Sequence, residues 1–221
     1  MKTAIFDLDG TLVDTSRDML GGTNTVFEEM GLGRPLVEGE HDAIAFAGAR
    51  AMLKKGGEIT GHVWSEESFE QAYQAFLVAY ADQVDHYSEI YPGVEAALDR
   101  LDAKGWKLAI CTNKPAGLAE TLLTSLGLRP RFGAMIGADT LSVRKPDPEP
   151  LREAVRRVKG DFGRSVLIGD TITDRKAALN AGIPCVLVTF GPIGEAVRDM
   201  EPDGLLGTYK EIEPVLDGLV R

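Results

Sequence analysis

The chain has 221 residues, of which 44% are hydrophobic, and it carries a net charge of −10. This length and composition suit one globular domain, or one domain with an insertion, and allow a sizeable core. The acidic excess argues against a nucleic-acid partner, which requires a basic surface. No apolar run is long enough to span a membrane and no secretory leader precedes the first predicted strand, so we expect a cytoplasmic protein without a membrane partner.

The first predicted element is a buried strand over 2–6, which leads into Asp-Leu-Asp-Gly-Thr at 7–11. Side chains alternate along a strand, so Asp7 and Asp9 project to the same side of its end. These like charges repel each other and lose hydration, and folding does not require them there. A divalent cation would remove the conflict, although an Asp-Gly turn by itself is a common structural feature.

Residues 15 to 84 carry helical signals and no strand signals. Helices are predicted over 16–30, 43–55 and 65–84. The last of these has an apolar stripe at helical spacing, which indicates packing rather than a ligand site. We therefore expect a separate helical domain, inserted between the first and second strands of the main fold.

Strand and helix signals alternate from residue 88 onwards. The predicted strands cover 107–111, 134–136, 165–168 and 184–188, with a weaker candidate at 205–206. The predicted helices begin at Pro92 and near 116, 149, 174 and 210, and the glycines expected just after helix ends are Gly105, Gly127, Gly160 and Gly182. This alternation predicts an α/β fold with a doubly wound parallel sheet.

Polar groups follow the predicted strands at the points where each strand ends. Thr112-Asn113-Lys114 follows the second major strand, Lys145 opens a loop before a predicted helix, and Gly-Asp-Thr-Ile-Thr-Asp follows another strand at 169–174. The carboxyl ends of parallel strands form one edge of an open sheet, and ligands bind at that edge. The sequence therefore predicts that these groups form a single site.

These four segments, in this order, resemble the haloacid dehalogenase superfamily of phosphohydrolases. The matching features are Asp-x-Asp-Gly-Thr at 7–11, Thr112, Lys145 and Gly-Asp-x-x-x-Asp at 169–174. The resemblance implies a Rossmann-like catalytic core over 1–14 and 85–221. It also implies that the helical segment over 15–84 is a C1-type cap.

The resemblance assigns roles to the four acidic residues. It implies that Asp7 attacks phosphorus to form an aspartyl phosphate, and that Asp9 is the general acid and base. It further implies a Mg²⁺ cofactor held by Asp7, Asp9 and Asp170, with Asp174 in or beside the ligand shell. The structural alternative for Asp170 and Asp174 is a favourable charge at a helix N-terminus.

The same resemblance implies that the remaining residues handle the phosphate. Lys145 would neutralise the nucleophile and the transferring group, and Thr112, Asn113 and the amide of Gly10 would donate hydrogen bonds to phosphate oxygens. Lys114 would contact substrate or, alternatively, lie on the surface. Thr11 would support the turn.

The identity of the substrate depends on the cap. The segment Phe-Ala-Gly-Ala-Arg at 46–50 loosely resembles the specificity loop of phosphoglycolate phosphatases, in which Arg50 could bind a substrate carboxylate; its alternative is a helix-surface arginine. We therefore expect a small phosphorylated metabolite, with 2-phosphoglycolate first. Asp9 matches phosphatases and phosphomutases rather than dehalogenases.

Other functions remain open from the sequence. These are a β-phosphoglucomutase-like phosphotransferase, a phosphatase for sugar phosphates, nucleotides or pyrophosphate, and a catalytically silent binding protein of the same fold. The two cysteines, Cys111 and Cys185, fall in predicted strands and are expected to be buried and unreactive. The oligomeric state cannot be inferred from the chain.

Overall fold

The computed structural model describes residues 1–220 and divides into two compact units. One consists of Met1–Val13 and the chain from Ile90 onwards, and the other of Asp14–Glu89. The second unit extends beyond residue 84, where the sequence placed its end. The reason is that the Asp18 carboxylate accepts hydrogen bonds from the Tyr87 amide at 3.0 Å and the Ser88 hydroxyl at 2.7 Å, which holds this segment to the helical unit.

The first unit is built on a six-stranded sheet in which every pairing is parallel. Its strands are β1 (Thr3–Phe6), β4 (Lys107–Cys111), β5 (Ala134–Ile136), β6 (Ser165–Gly169), β7 (Cys185–Val188) and β8 (Gly204–Leu206), in the order β5-β4-β1-β6-β7-β8. The strands β2 (Val13–Asp14) and β3 (Glu89–Ile90) form a separate two-stranded sheet. The central strand β1 is completely buried, as its continuous apolar run predicts.

The helices alternate with these strands in the first unit and make up nearly all regular structure of the second. The first unit contains α5 (Val94–Ala103), α6 (Ala116–Ser125), α7 (Glu149–Arg157), α8 (Ile172–Ala181) and α9 (Ile212–Leu219). The second contains α1 (Ser16–Glu29), α2 (Asp42–Ala45), α3 (Ala49–Thr60) and α4 (Glu66–Ala81). The predicted doubly wound α/β fold is confirmed. Among residues 1–220, no helix is long and apolar enough to cross a bilayer.

Two local predictions were wrong. The single helix predicted over 43–55 is two helices, because Gly48 has a φ of 91° that a right-handed helix cannot contain. Pro92 is not the first helical residue, since α5 begins at Val94. Gly160 follows the end of α7 as expected, and it permits a close approach, since a Cβ there would lie 2.1 Å from Thr3 Oγ1.

Candidate active site

The sheet register brings the three central strand ends together. Phe6 in β1 lies between Ile110 in β4 and Ile168 in β6. The residues that follow these positions are therefore neighbours at one edge, and the Asp7 amide donates to the Ile168 carbonyl at 2.8 Å. Thr112 continues β4 by donating from its amide to the Ile136 carbonyl at 2.9 Å.

Three carboxylates from two of these strand ends form one acidic cluster. Asp7, Asp170 and Asp174 each offer a carboxylate oxygen within 4.8 Å of the others. Asp170 accepts a hydrogen bond on Oδ1 from the Thr11 hydroxyl at 3.2 Å, whereas its buried Oδ2 has no hydrogen-bond partner within residues 1–220. A buried carboxylate oxygen without a donor is costly, and oxygen donors of this kind suit a hard divalent cation.

Lys145 provides the positive charge inside this cluster. Its Nζ lies 2.6 Å from Asp174 Oδ1 and 3.0 Å from Asp7 Oδ1. The contact with Asp174 is a hydrogen bond; the one with Asp7 is an ion pair without hydrogen-bond geometry. Only 1% of the Lys145 side chain is exposed, so the ammonium group cannot be the solvated surface lysine that was the alternative.

Asp174 is held by more donors than either of the other two carboxylates. Its Oδ2 accepts from the Thr171 hydroxyl at 2.6 Å, the Thr171 amide at 3.1 Å and the Asp170 amide at 3.4 Å. Gly169 is needed beside it, because a Cβ at that position would lie 2.4 Å from Asp174 Cγ. The side chain of Asp174 is thus fixed by the start of α8 and directs its other oxygen to Lys145.

Burial and mutual repulsion raise the pKa values of two carboxyl groups in this cluster, those of Asp7 and Asp170. Burial raises the pKa of Asp7 to about 7; Lys145 lowers this pKa, while Asp174 and Asp9 raise it. Burial also raises the pKa of Asp170 well above its usual range. For Lys145, burial lowers the pKa, but Asp174 and Asp7 outweigh burial and hold it above its ordinary value. An added cation would stabilise the ionised carboxylates.

A second ion pair joins Asp9 to the loop after β4. Lys114 Nζ lies 2.8 Å from Asp9 Oδ1, and only 3% of the Lys114 side chain is exposed, against 19% for Asp9. The surface position that the sequence left open for Lys114 is therefore excluded. The structure thus pairs Asp9, which the sequence predicted as the general acid and base, with Lys114, which it predicted to contact substrate.

The three predicted phosphate donors, Gly10, Thr112 and Asn113, each form a different hydrogen bond within the protein. The Gly10 amide donates to the Val13 carbonyl at 2.9 Å, and its role as a phosphate donor stays a prediction. The φ of Gly10 is 77°, which favours glycine at this turn. Asn113 uses one amide hydrogen to hold the Lys145 carbonyl at 2.9 Å. The Thr112 hydroxyl accepts from the Lys114 amide at 3.1 Å and retains its own hydrogen for donation.

Arg50 lies in the helical unit and not among the residues described above. Its guanidinium pairs with Glu70 at 2.6 Å and lies over the rings of Tyr73 at 4.1 Å and Phe69 at 5.6 Å. These contacts fix the orientation of a side chain that is still 44% exposed. The substrate-binding role of Arg50 stays a prediction.

Two threonines contribute more than the sequence suggested. Thr11 is not only turn support, because its hydroxyl donates to Asp170. Thr171 was not singled out, yet it precedes α8 and its hydroxyl holds Asp174. A usable signal was present, since Thr171 and Asp174 have the spacing of a capping box, in which a residue three positions on bonds back to the N-cap.

Both cysteines are buried and unpaired with each other, as expected. Burial raises the pKa of the Cys111 thiol to about 12, with Lys145 lowering it and Asp7 raising it. Burial likewise raises the pKa of Cys185. A thiol with so high a pKa is not an activated nucleophile, which removes the alternative of cysteine chemistry beside Thr112.

Comparison with known families agrees with this arrangement. The model of haloacid dehalogenase-like hydrolases matches residues 4–188, which contain all of the acidic and basic groups described at the sheet edge. The chain belongs to this family. The match ends before β8, so the family model does not describe the C-terminal part of the first unit.

Curated relatives extend the similarity to nearly the whole chain. A phosphoglycolate phosphatase from Caulobacter vibrioides is 38% identical over 95% of this chain and 88% of its own length. One from Agrobacterium fabrum is 36% identical over 96% and 91%. Among solved structures, a predicted phosphoglycolate phosphatase from Haemophilus somnus has a TM-score of 0.85 at 26% identity, covering 97% of both chains.

Proposed function

We propose that this protein is a magnesium-dependent phosphatase of small phosphomonoesters, with 2-phosphoglycolate as the leading substrate. The observation that carries the proposal is the cluster of Asp7, Asp170 and Asp174 around the buried Lys145. Three carboxylates with one internal cation leave a local excess of negative charge. Such an arrangement suits a metal and a phosphate much better than it suits folding alone.

The donors present fit Mg²⁺. Asp7 and Asp170 would hold it through carboxylate oxygens and Asp9 through its backbone carbonyl, and the unpaired Oδ2 of Asp170 supports this choice. Asp174 would stand beside the ion, because its oxygens already serve Lys145 and Thr171. When bound, Mg²⁺ supplies positive charge that stabilises the phosphoryl oxygens during transfer.

In the first step, a carboxylate oxygen of Asp7 forms a bond to phosphorus as the ester P–O bond breaks. The leaving oxygen takes a proton from the Asp9 carboxyl group and departs as an alcohol. Lys145 favours this step by placing positive charge 3.0 Å from Asp7 Oδ1. The Thr112 hydroxyl would donate a hydrogen bond to a phosphoryl oxygen, which stabilises the charge that develops there.

In the second step, the Asp9 carboxylate takes a proton from water while the water oxygen attacks phosphorus. The bond between phosphorus and Asp7 breaks, inorganic phosphate leaves, and both carboxyl groups regain their starting states. Lys114 would orient Asp9 for both proton transfers, since it holds Oδ1 at 2.8 Å. These two steps require no other acid or base.

The choice of 2-phosphoglycolate is supported by the relatives, which carry the name phosphoglycolate phosphatase at 30–38% identity. It is also supported by Arg50, whose guanidinium could form two hydrogen bonds with a substrate carboxylate. The role of the helical unit as a cap and the cytoplasmic location both stay predictions from the sequence.

The test is phosphate release by the purified protein with Mg²⁺, over 2-phosphoglycolate, sugar phosphates, nucleotides and pyrophosphate, with EDTA controls. We expect release that depends on the metal, is highest with 2-phosphoglycolate and is abolished in Asp7→Asn. Turnover only of β-glucose 1-phosphate, and only with added glucose 1,6-bisphosphate, would contradict the proposal and favour a mutase. Binding of esters without release of phosphate would favour a silent binding protein.

A further inference from the structure

Tyr209, which lies outside the four sequence motifs, donates a hydrogen bond to the loop that follows Asp7. Tyr209 follows β8 in a short 3₁₀ segment, and only 1% of it is exposed. Its hydroxyl donates to the backbone carbonyl of Thr11 at 2.8 Å. Thr11 is the last residue of the Asp-Leu-Asp-Gly-Thr segment.

The same threonine touches the acidic cluster through its side chain. The Thr11 hydroxyl donates to Asp170 Oδ1 at 3.2 Å, and Thr11 is completely buried. One residue thus receives a hydrogen bond from Tyr209 on its carbonyl and gives another to Asp170 from its hydroxyl. The direction of the Thr11 hydroxyl depends on where its backbone is held, so the two hydrogen bonds are linked.

Tyr209 is itself firmly anchored on the side away from the loop. Arg100 donates from Nη2 to the Tyr209 carbonyl at 2.9 Å and pairs with Glu213 at the start of α9. The ring of Tyr209 packs against Phe190 with 5.4 Å between ring centroids. Burial raises the pKa of the Tyr209 hydroxyl well above its usual range, so the hydroxyl remains a donor.

We infer that Tyr209 is a positioning residue of the phosphatase site, which acts through Thr11 on Asp170 and on the loop that carries Asp7 and Asp9. The inference rests on the proposed function. It extends the site to the short 3₁₀ segment between β8 and α9, which lies beyond the residues 4–188 that the family model describes. A Thr11 carbonyl without its donor would be a buried unsatisfied acceptor, and the loop would shift to find another partner.

The test compares Tyr209→Phe with Ser165→Ala. The first variant keeps the packed ring and removes only the hydroxyl. The second removes another buried hydroxyl of the same unit, which donates to the Asp161 carbonyl at 2.8 Å, at the amino-terminal end of β6 away from the acidic cluster. For each protein the measurements are kcat, KM, the midpoint of thermal unfolding, and Mg²⁺ affinity by calorimetry without substrate.

We expect Tyr209→Phe to lower kcat about tenfold, the equivalent of one hydrogen bond, with KM within about twofold and Mg²⁺ affinity about fivefold weaker. Ser165→Ala should lose thermal stability while kcat and Mg²⁺ affinity stay within about twofold. If Tyr209→Phe matches Ser165→Ala in all four quantities, Tyr209 is merely structural and the inference is wrong.

A double-mutant cycle with Thr11→Val provides a second test that does not depend on the stability of one variant. If Tyr209 acts through Thr11, the loss of kcat in the double variant is at least about threefold smaller than the product of the two single losses. Losses that multiply would contradict the inference. A wild-type chain that releases no phosphate would instead contradict the proposed function, and the calorimetric comparison would then test Tyr209 by itself.

Discussion

The buried ammonium of Lys145 lies 2.6 Å from Asp174, and the Asp174 carboxylate is held on its other oxygen by Thr171. Lys145 lies in the loop before α7, whereas Asp174 lies in the first turn of α8. Their ion pair places Lys145 where it also reaches Asp7. Asp174 therefore acts on the proposed nucleophile through the lysine that it positions.

Replacing Lys145 with methionine should abolish turnover and weaken the fold. The change leaves Asp174 and Asp7 buried without their cation, and breaking a buried ion pair from one side costs about 3–5 kcal/mol. Urea unfolding measures the loss. Lys104→Met is the matched control, because Lys104 pairs with Glu213 and Asp217 on an exposed surface and should leave the unfolding midpoint nearly unchanged. Equal midpoints for the two variants would contradict this account of Lys145.

Asp170→Asn should stabilise the metal-free protein while removing its response to Mg²⁺. The substitution removes one of three buried negative charges that repel each other, and it also removes an oxygen that has no donor. Thermal unfolding in EDTA and in Mg²⁺ measures both effects, at about 2–4 °C for each kcal/mol. Asp217→Asn, on the surface, should keep the full Mg²⁺ response. An undiminished Mg²⁺ response in Asp170→Asn would remove Asp170 from the metal site.

Lys114→Met should act on the chemical step rather than on substrate affinity. Because Lys114 holds Asp9 at 2.8 Å, its loss would leave the general acid and base poorly oriented. We expect kcat to fall about tenfold or more, with KM changed less than about threefold. Lys107→Met, at the opposite end of β4, loses the same charge and should be neutral. A raised KM with an intact kcat would show that Lys114 binds substrate instead.

Arg50→Ala should weaken selectively the use of substrates that carry a carboxylate. We expect KM for 2-phosphoglycolate to rise about tenfold or more, since a charged hydrogen bond contributes about 1.5–3 kcal/mol, while an uncharged aryl phosphate is unaffected. Glu70→Gln removes the partner that competes for the guanidinium and should retain full use of 2-phosphoglycolate. Equal losses on both substrates in Arg50→Ala would exclude a specificity role.

Neither cysteine should react with a thiol reagent in the folded protein at pH 8. Burial raises the pKa of Cys111 to about 12 and that of Cys185 above its ordinary value, so the reactive thiolate is scarce well above neutral pH. Spectrophotometric titration should detect both thiols only after denaturation. Rapid modification of Cys111 in the native state would indicate an environment different from the one described.

The sequence predicted the elements whose signal is local. The buried run of β1, the strand over 107–111 and the polar residues after each strand were sufficient to place Asp7, Thr112 and Asp170 at one edge, because parallel strands share that edge. It could not predict which partner each polar group selects. Two examples depend on loop geometry. They are the ion pair of Lys114 with Asp9 and the hydrogen bond from the Gly10 amide to the Val13 carbonyl. The contact between Tyr209 and Thr11 joins residues far apart in the chain, and no periodic pattern records it.

The central claim is that Asp7 forms a covalent bond to phosphorus, and trapping that bond tests it most directly. The protein would be mixed with 2-phosphoglycolate and Mg²⁺, quenched in acid during turnover and treated with borohydride, which reduces an acyl phosphate to an alcohol. Peptide mass spectrometry should then find Asp7 converted to homoserine, with no conversion in Asp7→Asn or without substrate. Steady phosphate release with Asp7 unmodified, or with another carboxylate reduced, would contradict the account.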